Sequence, residues 1–138
     1  MEELIDILDA GRHSLVVGNG EVRTFDGRGV ADLLNLLDAE PDFLRGASVA
    51  DKVVGKGAAA LMVAGGVVEV YAGVISSLAY DLLKSNGVAV TYGSFVDNII
   101  NRQGDGICPV ERLCAACHTA AECVPLIRNF VESMKNRK

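Results

Sequence analysis

The four cysteines of this chain all fall in one stretch, Cys108-x5-Cys114-x2-Cys117-x5-Cys123, with His118 beside the third. Cys114 and Cys117, three apart, present two thiols to one side of a turn, which is the spacing of a metal-ligand pair. Four thiolates would hold zinc or an iron–sulfur cluster. The x5 gaps match no common zinc-ribbon spacing, and Thr119-Ala120-Ala121-Glu122 reads equally well as a helix-capping box. Pro109 favours helix from Cys108 onward, and a helix continuous through Cys117 would put Cys108 and Cys117 on opposite sides. Free thiols, or a disulfide under oxidation, are therefore the preferred reading, in or between two C-terminal helices. Cys108, Cys114, Cys117 and Cys123 stand as the candidate metal ligands, and no other cofactor is expected.

Lys56 lies among small residues, Gly55, Gly57 and Ala58. A Lys in a crowded apolar setting loses its proton more readily and serves as base, nucleophile or phosphate contact. The plain alternative is a solvated Lys on an amphipathic helix, with Lys52 one turn back. With Pro109 as the first helical residue, Cys108 becomes the N-cap and Glu111 the third position, where a helix N-terminus would acidify the thiol. A buried, inert Cys108 explains the same residues. Arg102, beside Asn101, could grip an anion bidentately or sit in a surface salt bridge. His13 reads as a structural histidine, and Gly18-Asn19-Gly20 lacks the Lys and helix of a phosphate loop, leaving a turn.

The elements that must carry these residues follow from periodicity. Leu4, Ile5 and Leu8 mark a first helix that ends at Gly11. Two β-prone runs, His13–Val17 and Glu21–Phe25, flank Asn19-Gly20 and predict a hairpin. Val30, Leu33, Leu34 and Leu37 predict a helix that stops at Pro41. Ser48 with Asp51 predicts a capping box opening a helix through Lys56 and Met62 to Gly65-Gly66. Val67–Ala72 and Val88–Tyr92 read as strands flanking a helix capped by Ser76 or Ser77, so a parallel pair is expected. A short helix near Phe95–Ile100 and a last helix on Leu126, Ile127, Phe130, Val131 and Met134 complete the chain. One domain over 1–138 is implied, with a Cys-rich helical segment from about 105 to 138.

A formal net charge of −5 argues against nucleic acid as a partner, because such binding draws its affinity from Lys and Arg. The basic tail Lys135-Asn136-Arg137-Lys138 reads as a solvated terminus. The most apolar run, Ala58–Val70, is broken by Gly65-Gly66 and Glu69, too short to span a bilayer. No membrane partner and a cytoplasmic location are expected. A second copy of the chain is an admissible partner.

Asp51–Ala59, Val68–Ser76, Asn101-Arg102 and Cys108-Pro109-Val110-Glu111 resemble an uncharacterised family of small prokaryotic proteins with a cytidine-deaminase-like fold. That resemblance implies a three-layer α/β/α architecture with a mixed sheet. Working deaminases of this fold place His-x-Glu or Cys-x-Glu at one helix start and Pro-Cys-x-x-Cys at the next. Here those positions fall near Gly55-Lys56-Gly57 and Val74-Ile75-Ser76-Ser77, which offer no zinc ligand, so a zinc-activated water is not expected. The resemblance further implies a nucleotide-sized pocket, with Lys52, Lys56, Ser76 and Arg102 as candidate contacts for a small anionic or nucleotide-like ligand. Three readings follow. The preferred one is a binding or regulatory module without turnover, because no complete catalytic set is visible. The others are an enzyme with a zinc-free site of Lys56, Cys108 and Glu111, and a four-cysteine metal protein.

Overall fold

The computed structural model describes residues 1–27, 30–100 and 104–135. Helix α1 (Glu2–Ala10) buries Leu4 and Leu8, the predicted apolar face. The predicted hairpin is present as β1 (Leu15–Asn19) and β2 (Glu21–Phe25), antiparallel with Asn19 opposite Glu21. Gly20 turns it at φ +83°, the left-handed geometry that costs glycine least. Then follow α2 (Ala31–Ala39), α3 (Pro41–Leu44), β3 (Ser48–Val54), α4 (Lys56–Gly65), β4 (Glu69–Ser76), α5 (Ser77–Ser85), β5 (Ala89–Val96), α6 (Pro109–Cys114) and α7 (Ala120–Lys135).

The strands form one mixed sheet in the order β2-β1-β3-β4-β5. β1 runs antiparallel to both β2 and β3, whereas β3, β4 and β5 are mutually parallel. Period-two alternation divides the side chains between two cores. Val17 and Val49 join the larger core with Leu33, Leu61, Leu83 and Ile127, from α2, α4, α5 and α7. Val16 and Ala50 point the other way and meet Leu4 and Leu8 of α1. Helices therefore cover both faces, and each fully buried Leu or Ile contributes about 1.5–3 kcal/mol. Among the described residues no helix is long and apolar enough to cross a membrane.

Two expected helices are strands. Ser48 and Asp51 do not open a helix; they lie on β3, and Ser48 Oγ donates to Glu69 Oε1 on β4 (2.9 Å). The β-branched Val49, Val53 and Val54 suit a pleated, half-buried surface, which outweighs a two-residue capping signal. Helix α4 begins only after Gly55, whose extended backbone (φ −97°, ψ 178°) breaks the chain direction. Likewise Phe95 and Val96 belong to β5, and Ile100 makes an isolated bridge with Ile107. β4 runs on past the predicted end through Gly73, where a Cβ would stand 2.6 Å from the Lys52 carbonyl oxygen. In α7 the buried stripe is Ala120, Cys123, Ile127 and Val131, so Leu126 and Met134 lie on the exposed side.

Candidate functional site

β3 and β4 are parallel neighbours, and each runs directly into a helix: Gly55 N-caps α4, and Ser76 N-caps α5 through a bond from Ala79 N–H to its Oγ (3.2 Å). The carboxyl ends of parallel strands, followed by helix starts with unpaired N–H groups, form the place where open α/β sheets take up anionic groups.

Glu111 of α6 fills that place. Its Oε1 accepts from the Lys56 backbone N–H (2.8 Å) and from the Ser76 hydroxyl (2.7 Å), and its Oε2 accepts from the Ile99 N–H. Glu111 is 1% exposed and Ser76 fully buried. One carboxylate thus ties together the starts of α4 and α5 and the segment after β5. The sequence predicts a capping role for Glu111 at the third position of α6, and α6 does start at Pro109 with Cys108 as its cap. Glu111 turns away from that cap and serves two other helices. The glycines beside Lys56 make the approach possible: a Cβ on Gly57 would stand 2.3 Å from Val110 Cγ1, and one on Gly55 3.3 Å from Glu111 Oε1.

Lys56, the first residue of α4, is buried, and its ammonium donates to the carbonyls of Ala115 (3.2 Å) and Cys117 (2.6 Å). Ala115 is the C-cap of α6, so the cation sits where a helix leaves carbonyls unpaired. Lys56 also lines an open hollow of about 320 Å³ with Leu78, Asp81, Leu82, Ser85 and His118. A second hollow, about 470 Å³, is lined by Ile107, Pro109, Arg112, Leu113 and Phe130. Cys108 lines neither, so neither joins Lys56 to the thiol.

Lys52 is not one turn from Lys56 on a helix. It lies exposed on β3, because the helix begins four residues later than expected. Arg102 lies outside the described residues. His13 Nδ1 bonds Asp26 Oδ1 (2.6 Å), the structural role expected of it.

The cysteines lie in and between the two C-terminal helices. Cys108 caps α6 and Cys114 ends it. Cys117 follows in the connection, and Cys123 lies in α7. Six helical residues separate Cys108 from the others by about 9 Å. The Cys123 thiol hydrogen-bonds with those of Cys114 and Cys117. Burial pushes the Cys114 and Cys123 thiols up from the ordinary cysteine value. Among the described residues no group of three His, Cys, Asp or Glu side chains is placed to hold a metal ion.

Asp51 is the residue that sequence reasoning missed. It is buried in the sheet with a single weak bond from the Val53 N–H (3.4 Å), and burial pushes its carboxyl up to about 7. The signal was present in Ser48-Val49-Ala50-Asp51-Lys52-Val53, where alternation puts Asp51 on the side of Val49.

A mixed α/β sheet with two helix starts bridged by a buried carboxylate defines the class of this protein. The chain belongs to the TM1506 family, described as a domain of unknown function (DUF1893), whose model matches residues 3–131. It is similar to the crystal structure of a DUF1893 family protein (TM1506) from Thermotoga maritima, with a TM-score of 0.86. The two are 23% identical over 93% of this chain and 87% of that one, which establishes a common fold. No curated protein matches the chain.

Proposed function

We propose that this protein is a binding module for a small anionic or nucleotide-like ligand, built on a cytidine-deaminase-like framework and working without turnover. The observation that carries this reading is Glu111 itself: a carboxylate held at the starts of two adjacent helices, where a phosphate or ligand carboxylate would find the same donors. In this reading Glu111 is an internal occupant. An entering anion takes over the Lys56 N–H and Ser76 hydroxyl, α6 is released, and the Lys56 ammonium leaves the carbonyls of Ala115 and Cys117 for the ligand. Arg102 is a further contact of this proposal. The two residues nearest to catalytic types, Ser76 and Lys56, are buried and fully engaged, which favours binding over an enzyme acting through Lys56, Cys108 and Glu111. The same reading places the protein in the cytoplasm, where its four cysteines stay reduced.

Titration calorimetry and thermal shift with inorganic phosphate and with nucleoside monophosphates test it. Wild type is expected to bind weakly, and Glu111→Gln to bind the same anions about tenfold more tightly, as removal of a competing charge worth about 1.4 kcal/mol would give. Equal absence of binding in wild type and Glu111→Gln would sink the reading.

A further inference from the structure

β5 closes the sheet on one side, and among the described residues nothing is hydrogen-bonded to its outer edge. The two edges of the sheet differ in kind. β2 carries Glu21 and Arg23 in five residues, with Arg23 bonded to Glu21 and Glu40, and charges of this sort discourage strand addition. β5, Ala89-Val90-Thr91-Tyr92-Gly93-Ser94-Phe95-Val96, has neither a charged residue nor a proline in eight. Beside that open row of N–H and C=O groups lies an aromatic patch. Tyr92 and Phe95 are 45% and 46% exposed. Their ring centroids are 5.6 Å apart, and both pack edge-on against Tyr80 of α5 at 6.0 and 5.6 Å.

We infer that β5 is a dimer interface, at which two copies of this chain pair antiparallel about a two-fold axis to make one continuous sheet. A two-fold axis across the sheet sets a strand antiparallel to its own copy, so each outward N–H of one meets an outward C=O of the other. The occupant is a second copy because of charge. The chain carries a net −5, and this uncharged edge lets two such molecules approach without setting like charges opposite each other. A foreign strand would find here no charged side chain to select it. Two-fold pairing also brings the two aromatic patches to the same seam, where Tyr and Phe are the residues that interfaces favour.

Sedimentation velocity and concentration-dependent hydrogen exchange decide the matter. Wild type is expected to be dimeric at about 100 µM, with amides 89–96 protected there and losing protection on dilution. Thr91→Lys and Ser94→Lys place charge on exposed positions of β5. They are expected to weaken the dimer about tenfold or more with an unchanged circular dichroism spectrum, whereas Thr24→Lys on the opposite edge leaves it intact. A wild-type monomer at that concentration would overturn the inference. So would a dimer indifferent to Thr91→Lys and Ser94→Lys.

Discussion

Lys56 and Glu111 each hold the other's helix by its open end without pairing as an ion pair. The Glu111 carboxylate takes the first N–H of α4, at Lys56, and the Lys56 ammonium takes the last carbonyls of α6, at Ala115 and Cys117. Each charge therefore answers a helix terminus of the opposite sign. The clasp fixes α6 across the carboxyl ends of β3 and β4, with Ser76 as its third member.

Removing either half should destabilise the fold, and the two losses should not add. Glu111→Ala strands the Lys56 and Ile99 amides and the Ser76 hydroxyl, a cost of about 3 kcal/mol or more at the usual price of buried unpaired donors. Glu111→Gln keeps an acceptor oxygen and is expected to cost less. Lys56→Ala removes one ammonium from two carbonyls and should cost about 1–3 kcal/mol. Because both substitutions release the same helix, the double variant is expected to fall short of the sum by more than about 0.5 kcal/mol. Urea unfolding of the four proteins measures this. Strict additivity would mean that the two contacts do not act as one clasp.

Asp51 makes stability depend on pH in the direction opposite to most carboxylates. Its folded value, about 7, lies above the unfolded 3.8, so between these the native state binds the extra proton. Stability from this group is full below about pH 4 and is lost as pH rises through 7, by roughly 4 kcal/mol for a displacement of that size. Asp51→Asn has no proton to lose. Its stability relative to wild type should therefore improve steadily from about pH 4 to about pH 8, as followed by urea midpoints. A difference that stays flat with pH would show that Asp51 is ionised in the folded protein throughout.

The sequence made α1, the hairpin, α2, the parallel pair β4 and β5, and the start of α6 legible, because each carries a strong local signal: a helical stripe, Asn19-Gly20, Pro41, the Ser76 cap, Cys108-Pro109. β3 was misread because Ser48 and Asp51 stand three apart, as in a capping box, and local spacing does not report the partner strands that hold them. Lys56, Ser76 and Glu111 were all singled out, yet as separate candidates. Nothing in their sequence positions, 20 and 35 residues apart, reveals that one carboxylate serves both helix starts. That is a product of parallel strands ending side by side, and the glycines at 55 and 57 were its one local trace. They were read as helix weakeners, whereas their lack of a side chain admits Glu111 and Val110.

The four thiols should separate into two reactive and two protected. Cys108 and Cys117 are half-buried, whereas Cys114 and Cys123 are buried in the core beside Ile127. Burial acts twice on the second pair: it shuts out reagent, and it raises both thiols so that little thiolate forms. Treatment of the native protein with iodoacetamide at about pH 8, followed by peptide mass mapping, should label Cys108 and Cys117 first. Cys114 and Cys123 should react only at the rate of opening of α6 and α7. Lys56→Ala, by freeing the carbonyls of Ala115 and Cys117, should speed labelling of Cys114 and Cys123 while leaving the rate at Cys108 nearly unchanged. Equal labelling of all four in wild type would contradict the burial of this pair, and an unchanged rate at Cys114 in Lys56→Ala would remove Lys56 from the set of contacts holding α6 shut.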